Sequence, residues 1–370
     1  MKLPARVSTW RNHLVSNPNF RAWAARFPLT RPIVRRNART LFDLCAGFVY
    51  SQILLACVQL DLFELLRNGP ATPESLAPRL GLTPEAAARL FAAAAALDLL
   101  EAKGATYALG PLGAAMVDNP AVAAMVRHNQ AVYVDLADPV ALLRAGQGAS
   151  EGALNRYWPY ARADQPGSLQ AHQVAAYSEL MAASQPLVAA EILDAYDIRP
   201  HRVLMDVAGG DGRFLVAAAA RSPSIRLVLV DLPAVAARAE QRFAAEGLGE
   251  RATIVGLDAF RDPLPPRADL ITLVRVVHDH EDAAAMTLLR AAHAALAPGG
   301  TLLLAEPMAG VRGAETVGDA YFGMYLLAMG SGRARTPGRL CAMLREAGFA
   351  RVRPRRTATP LQTGLIVARD

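Results

Sequence analysis

The chain has 370 residues, of which 53% are hydrophobic and 6% aromatic. That is enough for roughly two domains with buried cores, and it excludes an intrinsically disordered chain. Three scattered cysteines (Cys45, Cys57 and Cys341), with no C-x-x-C pair, argue against a disulfide framework or a thiolate zinc site and predict a reducing compartment.

The net charge of +6 is unevenly placed. Residues 1–40 carry nine basic residues (Lys2, Arg6, Arg11, Arg21, Arg26, Arg31, Arg35, Arg36 and Arg39) and no acid. Trp10, Phe20, Trp23 and Phe27 are interleaved with them. Such an arm suits an anionic membrane surface, and it equally suits packing on a partner subunit. No apolar core follows the first charges, so no signal peptide is expected. The expected location is the cytoplasm, with peripheral membrane contact if the arm binds lipid. The stretch LFDLCAGFVYSQILLACVQL (41–60) matches a bilayer in length. Asp43, Gln52 and Gln59 interrupt it, so a buried core or dimer-interface helix is expected.

Two helix starts follow, Thr72-Pro73-Glu74 and Thr83-Pro84-Glu85, each with a capping residue, a proline and an acid in the first turn. A short hairpin around Gly104 completes a winged-helix pattern. The second helix, PEAAARLFAAAAALDLL, has Arg89 as its one basic residue. A DNA-reading helix needs several polar or basic side chains. A dimerisation role is therefore expected, with no nucleic-acid partner. Residues 111–190 read as mostly helical.

From 202 the period changes. Apolar runs at 203–207, 226–230, 252–257, 269–274 and 301–305 alternate with helical stretches, the pattern of a doubly wound α/β parallel sheet. The C-terminus reads as a closing antiparallel hairpin. The expected division is an arm (1–40), a helical and winged-helix dimerisation and substrate-lid domain (41–196), and a Rossmann-like ligand-binding catalytic domain (197–370).

The first strand runs into RVLMDVAGGDGRF (202–214), an apolar strand, an acid and a glycine turn. A dinucleotide fingerprint would need glycine at Leu215, and no P-loop lysine is present. Asp206 and Asp211 bracket the turn and disfavour a pyrophosphate. A ligand with a cationic amino acid part suits them better. Asp231 ends the second strand, where an acid can accept both ribose hydroxyls. Asp258 ends the third, within reach of an adenine. Together the three strand ends describe a pocket for S-adenosylmethionine. No cluster of oxygen ligands implies a metal.

On these residues, 200–350 resembles the S-adenosylmethionine-dependent O-methyltransferases that include the caffeic acid and acetylserotonin enzymes, and the winged-helix half resembles the same family. The resemblance implies a class I methyltransferase fold and a homodimer. It places the glycine motif on Asp206 through Gly212, including Gly209 and Gly210, with Ala208 where glycine is usual. It puts the ribose acid at Asp231 and the adenine contacts at Asp258 and Ala259, the latter smaller than the family's usual Met or Phe. Arg275 stands where Lys is common. In LVRVVHDHED (273–282), His278 falls on the general base, while His280 and His293 read as surface or helix-start residues. Glu306 matches the acid that orients the base, and Asp279 braces the loop or caps the next helix. The family's second acid is replaced by Ala334. Met125, Tyr133, Phe322, Met324 and Met329 are candidate substrate walls, although Met and aromatics at helical spacing are as often core.

The stretch from FRAWAARFPLT to DLFELL (20–66), with ADPVALLR and RYWPYA further on, resembles the branch of the family that methylates the C-1 hydroxyl of acyclic carotenoids (hydroxyneurosporene or demethylspheroidene). That implies a long lipophilic acceptor. A C-methyltransferase acting on a pigment ring and a winged-helix regulator are the competing readings.

Overall fold

The computed structural model describes residues 5–146, 152–157, 184–358 and 363–370. Lys2 and the RYWPYA stretch from position 158 onward lie outside them. By internal contacts the chain divides into two compact units, Met1–Asp118 and Asn119–Asp370.

The first unit opens with α1 (Ala5–Ser16), α2 (Pro18–Arg26) and α3 (Arg31–Gln59). Asn17 caps α2, its side chain accepting from the backbone N–H of Asn19 (2.8 Å) and Phe20 (3.2 Å), with Pro18 at the first helical position. After α4 (Leu62–Leu65), helices α5 (Pro73–Leu80) and α6 (Pro84–Ala95) start where the capping pattern predicts. Thr72 and Thr83 each accept a hydrogen bond, 3.2 Å long, from the N–H three residues on. The hairpin is β1 (Leu100–Lys103) and β2 (Thr106–Leu109), turning at Gly104 with φ +64°, and α7 (Pro111–Ala114) closes the unit.

The helix around 41–60 is only partly the buried element expected. Leu55, Cys57 and Val58 are buried, but Leu41, Phe42, Leu44 and Phe48 stand exposed along its first half. Burial follows the elements available to cover it, and α4–α6 reach only its C-terminal turns. α3 is long and apolar enough to cross a membrane, by length and composition alone.

In the second unit, α8 (Pro120–Asp135), α9 (Pro139–Ala145) and α10 (Ala153–Tyr157) precede α11 (184–195). The α/β part then runs β3 (Val203–Val207), α12 (Arg213–Arg221), β4 (Arg226–Asp231), α13 (Pro233–Ala245), β5 (Ala252–Gly256), β6 (Ala268–Val274), α14 (Asp282–Ala295), β7 (Leu296–Glu306), α15 (Phe322–Met329), α16 (Pro337–Glu346), β8 (Arg351–Arg355) and β9 (Gly364–Arg369). The sheet order is β5-β4-β3-β6-β7-β9-β8, parallel from β5 to β7, with β9 antiparallel to both its neighbours.

Alternation along the strands builds a core on each face. Met205, Ile271, Leu273, Leu302 and Leu304 pack with α14 and α16. Leu204, Leu227, Leu229, Leu270 and Leu303 pack with α11–α13. The contact division falls at 118/119, whereas the sequence pattern placed a boundary at 196/197. The difference arises because Val132 of α8, Leu142 of α9 and Leu154 of α10 form one buried cluster with Leu326 and Met329 of α15. Side chains distant in sequence fix that grouping, and composition does not show it.

Candidate active site

The strand order reverses between β4-β3 and β6, and ligands of open α/β sheets bind beyond the strand C-termini at such a point. Asp206, next to last in β3, is 1% exposed. Its Oδ1 accepts from the Thr272 hydroxyl at 2.6 Å. Its Oδ2 is buried and has no hydrogen-bond partner among the described residues. Burial, opposed by the Thr272 bond and supported by the nearby Asp231 charge, pushes its carboxyl up to about 7. A Cβ added at Gly209 would stand 2.6 Å from that same oxygen, so the turn must be glycine there to pass the acid.

Asp231, ending β4, accepts from the N–H groups of Gly210 and Leu232, each at 2.7 Å, and burial raises it to about 6. Ala208 has φ +55°, a left-handed conformation that explains why glycine is usual at this position. Asp211 does not share the negative field expected of it. Arg242 at 2.6 Å and Arg213 at 3.3 Å pair with its carboxylate. The uncompensated acids are therefore Asp206 and Asp231 on neighbouring strands.

The second constellation follows β6. Val277–Asp279 form a single 3-10 turn. Glu306, which ends β7 and is 1% exposed, accepts from the backbone N–H of Val276 (3.1 Å), Val277 (2.7 Å) and His278 (3.4 Å). One of its oxygens also lies 2.6 Å from His278 Nδ1. Asp279 Oδ1 lies 3.1 Å from Nε2 on the other side of the ring. Burial pushes the imidazole pKa down, but Asp279 and Glu306 outweigh it and hold His278 above the usual range. The second carboxylate on the ring is thus Asp279, the adjacent residue, and Ala334 packs instead against the cluster around α15.

The other expected residues divide. Asp258 lies just beyond β5, so acids follow three adjacent strands in order. Its carboxylate accepts from Phe260 N–H (3.0 Å) and pairs with Arg261 at 3.6 Å. Ala259 is partly buried against the core, and the exposed aromatic surface belongs to Phe260, whose ring meets His280 edge-on at 4.8 Å. Phe260 was missed, though it stands in the same VGLDAF segment. His280 is half-buried, not a surface residue, and burial lowers it to about 4.

Arg275, the basic residue expected near the cofactor, also binds within the second unit. Its guanidinium donates to Ser184 Oγ and Gln185 Oε1, each at 2.8 Å, which ties β6 to the start of α11. Among the wall candidates, Phe322 meets His278 edge-on, with ring centroids 5.9 Å apart. Met324 is partly buried beside the same cluster, and Tyr133 stands near Tyr321. Met329 is a core residue, 1% exposed, and Met125 lies at the surface, 40% exposed. At helical spacing the burial of each follows from its angle on the helix, which sequence alone left open.

Two further features escaped the sequence reading. Arg335, 3% exposed, donates to the carbonyls of Val277 (2.8 Å) and His280 (2.7 Å) and pairs with Asp282 at 2.8 Å, clamping the histidine turn. Tyr321 donates to Asn129 Oδ1 at 2.9 Å, and the Tyr325 hydroxyl lies 3.0 Å from His128 Nε2. Both tyrosines belong to the aromatic group around Phe322. The signals were present, an arginine in GRARTPG and tyrosines in AYFGMYLLAMG, but their partners are distant in sequence.

The residues present fit a cationic adenosyl ligand. The unpartnered Asp206 Oδ2 supplies an acceptor, Gly210 leaves open space at φ +63°, and acids end the neighbouring strands. Comparison with known proteins agrees. Residues 136–350 match the O-methyltransferase domain, and residues 42–119 match the O-methyltransferase dimerisation domain. The demethylspheroidene O-methyltransferase of Rhodobacter capsulatus is 41% identical over 351 residues, 93% of this chain and 85% of that protein. The enzyme of the same name from Cereibacter sphaeroides is 40% identical over 341 residues, 92% of this chain and 89% of that protein. The solved structure of the S-adenosylmethionine-dependent methyltransferase SibL, in its apo form, superposes with a TM-score of 0.74 at 27% identity, covering 89% of this chain and 98% of that one. The dimerisation domain supports a homodimer, and the exposed apolar half of α3 beyond residue 41 lies within it. The chain belongs to the S-adenosylmethionine-dependent O-methyltransferases.

Proposed function

We propose that this O-methyltransferase acts on a hydroxyl of a long lipophilic acceptor, the C-1 hydroxyl of an acyclic carotenoid such as hydroxyneurosporene or demethylspheroidene. The observation that carries the acceptor class is the 41% identity across nearly the whole chain to an enzyme named for that substrate. The aromatic group of Phe322, Tyr321 and Tyr325 beside His278 supports an apolar acceptor.

When bound, S-adenosylmethionine supplies an electrophilic methyl group. In this reading Asp206 with Gly209 and Gly210 receives its amino acid end, Asp231 the ribose hydroxyls, and Asp258 with Ala259 the adenine, with Phe260 supplying the aromatic surface that Ala259 lacks. Arg275 supports this site indirectly, through Ser184 and Gln185 at the start of α11. His278 takes the proton from the acceptor hydroxyl at Nε2, while Glu306 holds Nδ1 and stabilises the imidazolium that forms. Asp279, 3.1 Å from Nε2, then accepts a hydrogen bond from the Nε2–H so formed. A tertiary alcohol is a very weak acid, so its proton leaves only in concert with methyl transfer, and alignment by the wall residues carries much of the rate. Phe322, Met324 and Tyr133 are the wall residues this geometry favours.

The test is incubation with radiolabelled S-adenosylmethionine and a detergent-dispersed 1-hydroxy carotenoid, alongside a simple phenol. Labelled carotenoid ether with an unlabelled phenol supports the reading, and the reverse pattern overturns it.

A further inference from the structure

We infer that α1, α2 and the first turns of α3 form a docking face for an anionic lipid surface. This segment precedes the matched dimerisation domain, which begins at 42. The two regions differ in charge. Residues 1–41 hold nine basic residues and no acid, whereas residues 42–119 hold four basic residues (Arg67, Arg79, Arg89, Lys103) against eight acids (Asp43, Asp61, Glu64, Glu74, Glu85, Asp98, Glu101, Asp118).

The arm is folded into helices, and its large apolar side chains do not form a core. Trp10 is 66% exposed, Trp23 50% and Leu29 78%, with Phe27 and Ile33 exposed as well. Phe20 and Trp23 of α2 lie together, and Trp23 stacks on Phe27, just after the helix, with centroids 4.9 Å apart. Arg21, Arg26, Arg31, Arg35, Arg36 and Arg39 are all exposed, and none of them pairs with a carboxylate among the described residues.

A second copy of the same segment would bring like charges together across the interface. An anionic headgroup layer instead satisfies both features at once. Tryptophan and phenylalanine settle at the boundary between headgroup and acyl chain, while arginine stems lie along the apolar surface and their guanidinium groups reach phosphate. Several basic residues near such a surface act together, and the attraction falls with salt. The inference does not depend on which acceptor is methylated, although it would bring the enzyme to where a lipophilic acceptor resides.

The experiment is flotation of the full-length protein with vesicles of phosphatidylcholine alone or mixed with phosphatidylglycerol, at low and high salt. Wild type is compared with Arg21→Gln/Arg26→Gln and with Trp23→Ser/Phe27→Ser/Leu29→Ser. These positions are exposed, and unchanged melting curves would show that the variants fold. The expected result is binding to the anionic vesicles that salt reverses, weakened on the order of tenfold or more in each variant, with S-adenosylmethionine binding and sedimentation as a dimer unchanged. Equal partition to both vesicle types, or variants that bind like wild type, would overturn the inference. Variants that sediment as monomers would assign the face to a second copy and overturn it too. No acceptor enters the readout, so failure here leaves the carotenoid reading standing.

Discussion

Two turns at neighbouring strand ends bury carboxylates in opposite ways. At the glycine turn, Asp206 and Asp231 are held by a hydroxyl and by backbone N–H groups, and burial drives both pKa values up. At the histidine turn, Glu306 and Asp279 flank an imidazole and raise its pKa. A buried acid without a resident cation is costly until a positive ligand arrives, and one with a resident cation is already compensated. This contrast fits the proposed roles, a cationic ligand at the first turn and proton transfer at the second.

The sharpest way to break this division is His278→Ala. Turnover should fall by roughly 10²–10⁴-fold, towards the upper end for a weakly acidic alcohol. Cofactor affinity measured by calorimetry should be unchanged, because on the proposed assignment His278 faces the acceptor. Near-normal turnover at saturating acceptor would mean that positioning alone drives the reaction. Next in size is Asp231→Ala, which on the proposed assignment removes two charge-assisted hydrogen bonds worth roughly 2–4 kcal/mol together. Calorimetry with unchanged S-adenosylmethionine binding would refute the ribose assignment.

Glu306→Gln should cost less than loss of the base, since an acceptor remains for the backbone N–H groups. Its signature is in pH. If His278 is the base as proposed, methyl transfer needs it neutral, so the wild-type rate should rise with pH through a value above the ordinary histidine figure of about 6.5. Removing the Glu306 charge should move that limb to lower pH. An unmoved limb would leave Asp279 as the group that sets the basicity.

The glycine turn predicts the opposite coupling. Asp206 binds its proton more tightly in the folded state, at about 7 against an ordinary value near 3.8. Its favourable contribution is present at low pH and is lost as pH rises through about 7. Relative to Asp206→Asn, the ligand-free wild type should therefore lose melting temperature across that window. Added S-adenosylmethionine should stabilise the wild type more above the window than below it. Parallel melting curves for the two proteins would contradict this. The smallest effect is local to the backbone: Ala208→Gly relieves a left-handed alanine and should stabilise the fold by about 0.5–1 kcal/mol, read from denaturant midpoints.

Sequence by itself determined what depends on near neighbours. Continuous apolar runs set the strands, Thr-Pro-Glu steps set the starts of α5 and α6, and an acid at or after the end of each of the first strands marked the expected ligand end of the sheet. His278 and Glu306 were legible because one lies in the turn after β6 and the other ends β7, and these parallel neighbours bring them to one edge. Tertiary structure decided what depends on side chains far apart in the chain. It showed that Asp211 is neutralised by Arg242 and that Asp279 is the second carboxylate on His278. It turned Arg275 to α11 and put Arg335 beneath the histidine turn. It also separated Met329 in the core from Phe322 beside the base. Periodicity specifies which face of an element is apolar, but the charge that compensates a buried acid, and the ring that meets the His278 imidazole, are fixed only when distant segments pack.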